Sequence, residues 1–344
     1  MSRRVPLPTP EKTRTWAEQM ALEQIGPSKF RSLNGTPFGA YSKVRGQMRP
    51  RAFGGHVYAQ AVYAASKTVA KGMMIHSVTG YFTMLGLADE PFTYEVSVVR
   101  TGKNYSVRNV NVTQEDDPTI CFSCICSFKR SEPDFMNVQE EHDVKETYAP
   151  LMGDKEPQDL DRNVSHLDWR QVPADASPSI TSFFPGVLTS ILPIEKLHRD
   201  RRYLDRTNLY FFSANTEPSA DPDYNLEACA HLFHSDRESI FAIIKSYELA
   251  DVLEVASSLS HTVVFHVPGE QVSFHDREGR RRWFYQETQS KRISDGRALM
   301  EGRIYNRDGV LIATMMQDGA FKLKPMTEGE KVRRERRLNN PPKL

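Results

Sequence analysis

The order of helical and strand-like segments occurs twice along this 344-residue chain, and this repetition constrains the fold more than any other feature. The helical segment "FGGHVYAQAVYAASKTV" precedes four strand-like segments, of which the last is "TICFSCICSF". A second helical segment, "LEACAHLFHSDRESIFAIIKSYE", precedes four more, which end at "VLIATMMQDGAF". A helix followed by antiparallel strands, twice, predicts an α+β chain built from two similar units.

Individual residues also support an internal duplication. The pair His76-Ser77 in the first half is matched by His261-Thr262 in the second half, 185 residues later. Each half ends in a hairpin signal, the first at Glu115–Pro118 and the second at Asn306–Gly309.

The repeat sets the boundaries of the units. We place an N-terminal unit at residues 22–130 and a C-terminal unit at residues 166–325. Residues 131–165 are charged and contain prolines, which is typical of a linker. Residues 1–20 are predicted to form a tail, and the basic residues 326–344, which have few apolar side chains, are expected to be a disordered tail.

Composition excludes several classes of protein. The net charge of +1 gives no basic surface for nucleic acid, and no apolar stretch is long enough to span a membrane. The basic, Pro-rich N-terminus lacks the apolar region of a secretory signal. Four cysteines do not suggest a disulfide framework, which favours a reducing compartment. Three of them alternate along "TICFSCICSF", where a buried strand explains them better than a metal site, and no metal is expected.

One carboxylate lies on an otherwise apolar helical stripe. Helical spacing groups Asp236 with the apolar residues Cys229, Leu232, Phe233, Ile240, Ile243 and Ile244. A carboxylate there is buried unless the helix register differs, and it then needs partners. From position alone, a functional acid and a partnered core acid both stay open.

Two further polar residues lie on strands. Leu311, Ala313 and Met315 share one strand face, and Gln317 is next on that face, where a buried amide needs partners. In "SSLSHTVVFHV", alternation places Ser258 and His261 on opposite faces of the strand. The face that carries Ser258 begins with small polar residues, which is typical of a wet cleft or of a solvent-facing strand end. No Gly-x-Ser-x-Gly motif is present, so a serine nucleophile is not predicted.

Histidines and glycines provide further candidates. His261 lies on an apolar strand face and His76 holds the matching place in the first unit, which favours core histidines, with a general base as the alternative. Gly54 and Gly55 open the first helix, where glycine either caps the helix or lets a ligand approach the backbone closely. Helix N-terminal N–H groups also suit a developing negative charge.

Several of these segments resemble a known family. "RAFGGHVYAQAVYAASKTV…IHSVTGYF" and "SVVRTGKNYSVRNVNVTQ" resemble the N-terminal signatures of the acyl-CoA thioesterase II family, and "HSDRES", "SSLSHTVVFH" and "DGVLIATMMQDG" resemble its C-terminal signatures. The resemblance implies a double hotdog fold, with two tandem hotdog units in which an antiparallel sheet wraps a long helix. It also implies hydrolysis of acyl-CoA thioesters to a free acid and CoA, without a cofactor, metal or covalent intermediate.

The resemblance also implies roles for residues. The catalytic Asp, Ser or Thr, and Gln of the family fall on Asp236, Ser258 and Gln317. We assign substrate binding to five further residues: Gly54, Gly55, His76, Arg100 and His261. Of these, Arg100 is expected to meet the CoA phosphates, together with Lys103 and Arg108.

The sequence departs from the family pattern at three places. Ser260 replaces an acidic residue before the strand His, Thr83–Gly86 replaces Arg-Pro-Gly, and Arg237 follows the Asp. These departures affect the expected shape of the acyl and CoA sites. Two alternatives therefore stay open: a non-catalytic acyl-CoA-binding hotdog protein, and an enoyl-CoA hydratase-type hotdog enzyme that uses His261 or His76 as its base.

The chain ends in Pro342-Lys343-Leu344, which resembles the peroxisomal address Ser-Lys-Leu. We therefore expect a peroxisomal location with an import receptor as partner, and the cytoplasm as the alternative. Because hotdog sheets often extend edge to edge, a homo-oligomer is a further expectation.

Overall fold

The computed structural model describes residues 14–44, 46–114, 117–152, 155, 187–191, 201–237, 239–247 and 249–340. The first half comprises α1 (Trp16–Gln19), β1 (Leu22–Gly26), β2 (Lys29–Ser32), β3 (Phe38–Val44), β4 (Gln47–Ala52), α2 (Gly54–Ser66), β5 (Met73–Phe82), β6 (Phe92–Thr101), β7 (Tyr105–Gln114) and β8 (Asp117–Arg130). The second half comprises α3 (Val144–Met152), β9 (Val187–Ile191), β10 (Asn208–Ala214), α4 (Tyr224–Asp236), α5 (Ser239–Ser246), β11 (Leu253–Phe265), α6 (Gly269–Val272), β12 (Phe284–Ser294), β13 (Arg297–Asn306), β14 (Leu311–Leu323) and α7 (Glu328–Asn339).

Twelve of the strands form one antiparallel sheet in the order β1-β2-β6-β7-β8-β5-β11-β14-β13-β12-β10-β9, and β3 and β4 form a separate hairpin. The two units meet where β5 pairs with β11, with Val78 opposite Val263. These two residues are 185 positions apart, which is the offset that relates the two halves in the sequence. The paired residues are therefore equivalent positions of the repeat. The sheet is therefore continuous across both units, with α2, α4 and α5 packed on one face.

Small side chains explain how the central helices pack. Ala59, Ala61, Ala64 and Ala65 of α2 are fully buried, which lets the helix lie close to the sheet and to α4. Cys124 and Cys126 of β8 face the same core as free thiols, as the alternation predicted.

Polar side chains hold α4 to the N-terminal half. Asn225 accepts a hydrogen bond from the Ile75 N–H (2.8 Å) and donates one to the Met73 carbonyl (2.9 Å) on β5. The indole N–H of Trp16 donates to the Leu226 carbonyl (2.7 Å). Residues 14–20, which were predicted to belong to a tail, are therefore part of the fold, because Trp16 is buried in the core.

The predicted disordered tail is wrong for residues 328–339, which form α7. Thr327 and Glu330 make a reciprocal capping box at its start. Leu338 is buried, and Arg334 forms an ion pair with Asp251 (2.9 Å). A cap, one buried apolar side chain and an ion pair therefore hold this charged segment on the fold.

Part of the predicted linker is also folded. Val144 and Tyr148 of α3 are buried with a cluster on the outer face of the C-terminal sheet: Leu209, Phe211, Tyr285 and Tyr305. Nε2 of His142 lies 2.9 Å from Oε1 of Glu287 on the same face. Residues 153, 154 and 156–165 of the predicted linker lie outside the described part of the chain.

The two predicted hairpins differ in how far the structure describes them. At the second, the Gly309 N–H donates to the Asn306 carbonyl (3.2 Å), and Gly309 adopts a φ of 80°, which favours glycine. At the first, Glu115 and Asp116 lie outside the described residues. Within the part of the chain that the structure describes, no helix has the length and apolar character needed to cross a membrane.

Candidate active site

Three polar side chains from three elements meet on the helix side of the sheet. Asp236 is the last residue of α4, Ser258 lies on β11 and Gln317 lies on the adjacent strand β14. The Gln317 amide donates to Oδ1 of Asp236, and its Nε2 lies 2.8 Å from the Ser258 hydroxyl. The Ser258 hydroxyl is 3.3 Å from the same Oδ1. The structure thus brings two of the candidates predicted from the sequence, Ser258 and Gln317, to the carboxylate of the third, Asp236.

A break between two helices positions Asp236. The sequence predicted one continuous helix, but α4 ends at Asp236 and Arg237 adopts an extended conformation with φ −68° and ψ 135°. The chain resumes as α5 at Ser239, whose hydroxyl donates to the Ser235 carbonyl (2.6 Å). The prediction of a single helix is therefore wrong, and the carboxylate stands at a helix end instead of mid-helix.

A β-bulge turns Ser258 toward the carboxylate. Strict alternation predicted that Ser258 and His261 lie on opposite faces of the strand. The pairing of β11 with β14 shifts between Ser258 and Ser260, so that Ser258 lies opposite Gly319 while His261 lies opposite Gln317. Since Gly319 and Gln317 share one face, Ser258 joins the helix face, and the predicted opposite facing is wrong.

The two glycines at the start of α2 approach the carboxylate. The backbone N–H of Gly55 hydrogen-bonds to Asp236. A β-carbon on Gly54 would lie 2.8 Å from the Phe82 ring and 3.3 Å from Oδ2 of Asp236. Glycine therefore allows the positive end of a 13-residue helix to contact the acid.

The carboxylate is held in a state suited to accepting a proton. Burial raises the pKa of Asp236 above its ordinary value of 3.8, while hydrogen bonds from Gln317, Ser258 and Gly55 oppose that rise. Asp236 is buried, with 8% of its surface exposed.

The side-chain amide of Gln317 has one hydrogen-bond acceptor that no described residue uses. Its Nε2 serves Asp236 and Ser258, whereas its Oε1 has no hydrogen-bond partner among the described residues, although the side chain is only 2% exposed. A buried acceptor beside a carboxylate suits a ligand that donates hydrogen bonds, such as water.

Two family models match the chain: the acyl-CoA thioesterase N-terminal domain over residues 44–129 and the acyl-CoA thioesterase C-terminal domain over residues 170–321. The chain belongs to the acyl-CoA thioesterase family. The predicted family is thereby confirmed, and its two domain models fall on the two halves of the duplication.

Individual relatives of this thioesterase-family chain agree. It is similar to human acyl-coenzyme A thioesterase 8, with 26% identity over 82% of this chain and 84% of that protein. It is also similar to peroxisomal acyl-coenzyme A thioester hydrolase 1 of Saccharomyces cerevisiae, with 22% identity over 78% of this chain and 84% of that protein. A solved protein with a hot dog fold from Alicyclobacillus acidocaldarius superposes with a TM-score of 0.64 at 17% identity, over 92% of this chain and all of that one. The predicted double hotdog fold is confirmed.

His261 lies next to the site as a buried core residue. The Ser235 hydroxyl donates to the Leu232 carbonyl (2.7 Å), which leaves its oxygen to accept from Nε2 of His261 (2.7 Å). Burial lowers the pKa of His261 to about 3, so the ring is neutral. Its ring packs edge-on against Tyr58. These contacts fit the structural interpretation of His261, and Ser235, which sequence reasoning missed, fixes its orientation.

His76 does not share the face of His261. The pairing of β5 with β8 shifts between Ile75 and Ser77, which turns His76 out of the alternation. Its Nδ1 lies 3.3 Å from the Ser127 hydroxyl and its ring meets Tyr105, both on the outer face of the sheet. The two histidines are 185 residues apart, like Val78 and Val263, but the predicted equivalent role is wrong because His76 lies on the outer face and does not reach the site.

The structure does not bring Arg100 to the site either. Arg100 lies on β6, which three strands separate from β11. The neighbouring guanidinium of Arg108 is buried and donates to the Thr68 hydroxyl (2.9 Å), the Thr68 carbonyl (2.9 Å) and the Arg100 carbonyl (2.7 Å). The guanidinium of Arg108 is therefore used within its own unit, which corrects the expectation that it meets the CoA phosphates. The phosphate role of Arg100, which is exposed, stays a prediction.

The departures from the family pattern lie on segments next to the site residues. Met84 and Leu85 are exposed on the turn after Phe82, the residue that packs on Gly54. Arg237 is buried and donates to the Thr189 hydroxyl (2.6 Å) on β9. Among the described residues, no group of three or more acidic, histidine or cysteine side chains is arranged to hold a metal ion.

Proposed function

We propose that this chain hydrolyses acyl-CoA thioesters to a carboxylic acid and free CoA through a water molecule activated by Asp236. Membership of the acyl-CoA thioesterase family supports the reaction. The observation that carries the residue roles is the convergence of the Ser258 hydroxyl and the Gln317 amide on one buried carboxylate. All of these residues lie within the C-terminal unit that we propose at residues 166–325.

The reaction needs a proton acceptor beside a held water. Asp236 accepts the proton as the water oxygen attacks the thioester carbonyl carbon. Ser258 and Gln317 have both donor and acceptor atoms, so they fix the water at attack distance. The tetrahedral intermediate then expels the CoA thiolate, which takes up the proton held by Asp236.

The developing oxyanion needs a donor. The first turn of α2 presents backbone N–H groups at a positive helix end, and Gly54 and Gly55 let the substrate carbonyl come close. Because a thiolate is a good leaving group, we propose that the protein needs no cofactor or metal for this step.

The alternative functions have less support. A hydratase needs a basic histidine, but His261 is buried, neutral and bonded to Ser235, and His76 lies on the outer face. A non-catalytic acyl-CoA-binding protein has no need for the carboxylate, hydroxyl and amide that this chain retains together.

One assay with two readouts distinguishes these functions. Purified protein is given saturated and enoyl-CoA substrates over a range of chain lengths, and thiol release and enoyl absorbance are followed. We expect thiol release from both series. Loss of enoyl absorbance without thiol release would show a hydratase, and tight binding with neither signal would show a binding protein.

We further propose a peroxisomal location. The similar yeast protein is named a peroxisomal acyl-coenzyme A thioester hydrolase. The C-terminal Pro342-Lys343-Leu344, which lies outside the described part of the chain, resembles an import signal. α7 ends at an exposed Asn339, which suits access by an import receptor. A reporter carrying only the last ten residues should enter peroxisomes, and a diffuse cytoplasmic signal would count against this proposal.

We also keep a homo-oligomer as a proposal. The twelve-stranded sheet ends in β1 and β9 within the described residues, and strand edges offer unpaired backbone groups to a second copy. Light scattering should give a mass of at least twice 39.3 kDa, and a monomeric mass would contradict it.

A further inference from the structure

The inner face of β12 is polar where a core strand is normally apolar. Gln286, Thr288 and Ser290 alternate on the side facing α4 and α5, and each is at most 1% exposed. Ser290 donates to the Leu299 carbonyl (2.8 Å). In contrast, Nε2 of Gln286 and Oγ1 of Thr288 have no hydrogen-bond partner among the described residues. Burying such groups unpaired is unfavourable, so a ligand or ordered water is expected to meet them.

The duplication provides an internal comparison. Counted from the central pair of strands, β6 in the first unit holds the place that β12 holds in the second. The inner face of β6 carries Phe92, Tyr94 and Val96, and the Tyr94 hydroxyl donates to Oε1 of Gln60 (2.6 Å). The unpaired polar groups on this strand face therefore belong to β12 of the C-terminal unit, which contains Asp236, and have no counterpart on the inner face of β6.

His234 completes the polar cluster. Its Nδ1 lies 2.8 Å from Oε1 of Gln286, and its ring stacks on Phe212 at 3.9 Å. Because an amide oxygen only accepts, Nδ1 carries the proton and Nε2 is an acceptor, which also has no partner among the described residues. Burial lowers the pKa of His234 well below its ordinary value, so the ring stays neutral.

The cluster lies within reach of the proposed reaction centre. His234 precedes Asp236 by two residues on α4. In the sheet, Gln317 lies opposite Met300, which lies opposite Ser290, and Thr288 is two residues further along β12. Two strand spacings and two residues of rise separate Gln317 and Thr288 by about 12 Å, a distance that a medium-length acyl chain covers.

We propose that this cluster is the end of the acyl-binding site and that it selects acyl-CoA substrates whose chain carries a hydroxyl group. A hydroxyl donates to Nε2 of His234 and accepts from Nε2 of Gln286 or from Thr288, so it satisfies groups that a plain alkyl chain leaves unpaired. This inference rests on the proposed thioesterase function and adds the class of acyl group to it.

The test compares matched substrates. Thiol release is measured with straight-chain acyl-CoA of equal length, either unsubstituted or with one hydroxyl placed at successive carbons. We expect kcat/KM to peak for one remote hydroxyl position, at about tenfold or more above the unsubstituted chain. Equal kcat/KM for every substrate would overturn the inference while leaving the thioesterase function intact, whereas no thiol release from any substrate would contradict the function itself.

Substitutions locate the preference. Thr288→Val keeps the shape of the side chain and removes its hydroxyl, so the ratio of kcat/KM for the hydroxylated chain to kcat/KM for the plain chain should fall several-fold. Gln286→Met provides a second variant with the same expectation. Thr36→Val is the matched control, because Thr36 is also buried with an unpartnered hydroxyl but lies in the N-terminal half. An unchanged preference in both cluster variants would show that these groups meet only water.

Discussion

The substitution Gln317→Met tests how the proposed base is held. Methionine has a similar length and no amide, so the variant removes the hydrogen bonds from Gln317 to Asp236 and Ser258 without a large change in volume. The charged form of Asp236 loses a donor, while burial, which already raises its pKa, stays in place.

The magnitude follows from the type of bond that is lost. A hydrogen bond to a charged group contributes about 1.5–3 kcal/mol, and one pKa unit corresponds to about 1.4 kcal/mol. The pKa of Asp236 should therefore rise by about 1 to 2 pH units. Loss of the group that orients the water should also lower kcat by about 10- to 100-fold at high pH.

The assay is the pH profile of kcat/KM for thiol release. Because the base acts when ionised, activity is lost as the pH falls through its pKa, and Gln317→Met should move this acidic limb upward. Gln114→Met is the matched control: Gln114 is a buried amide of β7 that donates to the Leu87 carbonyl (2.8 Å) in the N-terminal half. An acidic limb that stays in place for Gln317→Met would refute the proposed hydrogen-bonded base.

Three further predictions follow from single contacts. Gly54→Ala should lower thiol release strongly, because the new β-carbon would lie 2.8 Å from the Phe82 ring, whereas Gly329→Ala, with no atom within 4 Å, should not. Asn225→Ala should lower the free energy of unfolding in urea by about 1–3 kcal/mol, since two backbone groups of β5 lose their partner; an unchanged midpoint would contradict this. The raised pKa of Asp236 stabilises the fold fully below its ordinary value of 3.8, and this contribution is lost as the pH rises through the folded pKa. Asp236→Asn should therefore raise the Tm at neutral pH but not at pH below 3.8, and a lower Tm at neutral pH would contradict it.

The sequence predicts those parts of the fold that depend on local periodicity. α2 and the four-strand series of each half follow from apolar spacing, and the 185-residue offset matches the pairing of Val78 with Val263. Asp236 and Gln317 stand out because each is polar on an otherwise apolar face. Apolar spacing and a polar residue on an apolar face both depend only on nearby residues in the sequence, so they can be recognised without the tertiary structure.

Register shifts are what the sequence does not predict. The bulges before Ser260 and at His76 arise from pairing with distant strands, and each turns one side chain to the other face. Ser258 reaches the site only through such a shift, and His76 is excluded by one. The break after Asp236 likewise has no glycine or proline to indicate it.

The capping residues of α7 can be identified in the sequence, but the sequence does not predict that this helix packs on the fold. The Thr327–Glu330 spacing is a capping box, yet the segment has few apolar residues and Leu338 anchors it only through contacts with the folded core. Apolar content alone therefore fails to predict a helix that, like α7, contributes a single side chain to the core.

Thiol release by Asp236→Asn tests the central claim most directly. Asparagine keeps the shape and an acceptor for Gln317 and Ser258 but cannot take up a proton from water. If Asp236 is the base, kcat/KM for a long-chain acyl-CoA should fall by about 10²- to 10⁴-fold in a variant that remains folded. Turnover close to that of the unsubstituted protein would contradict the claim.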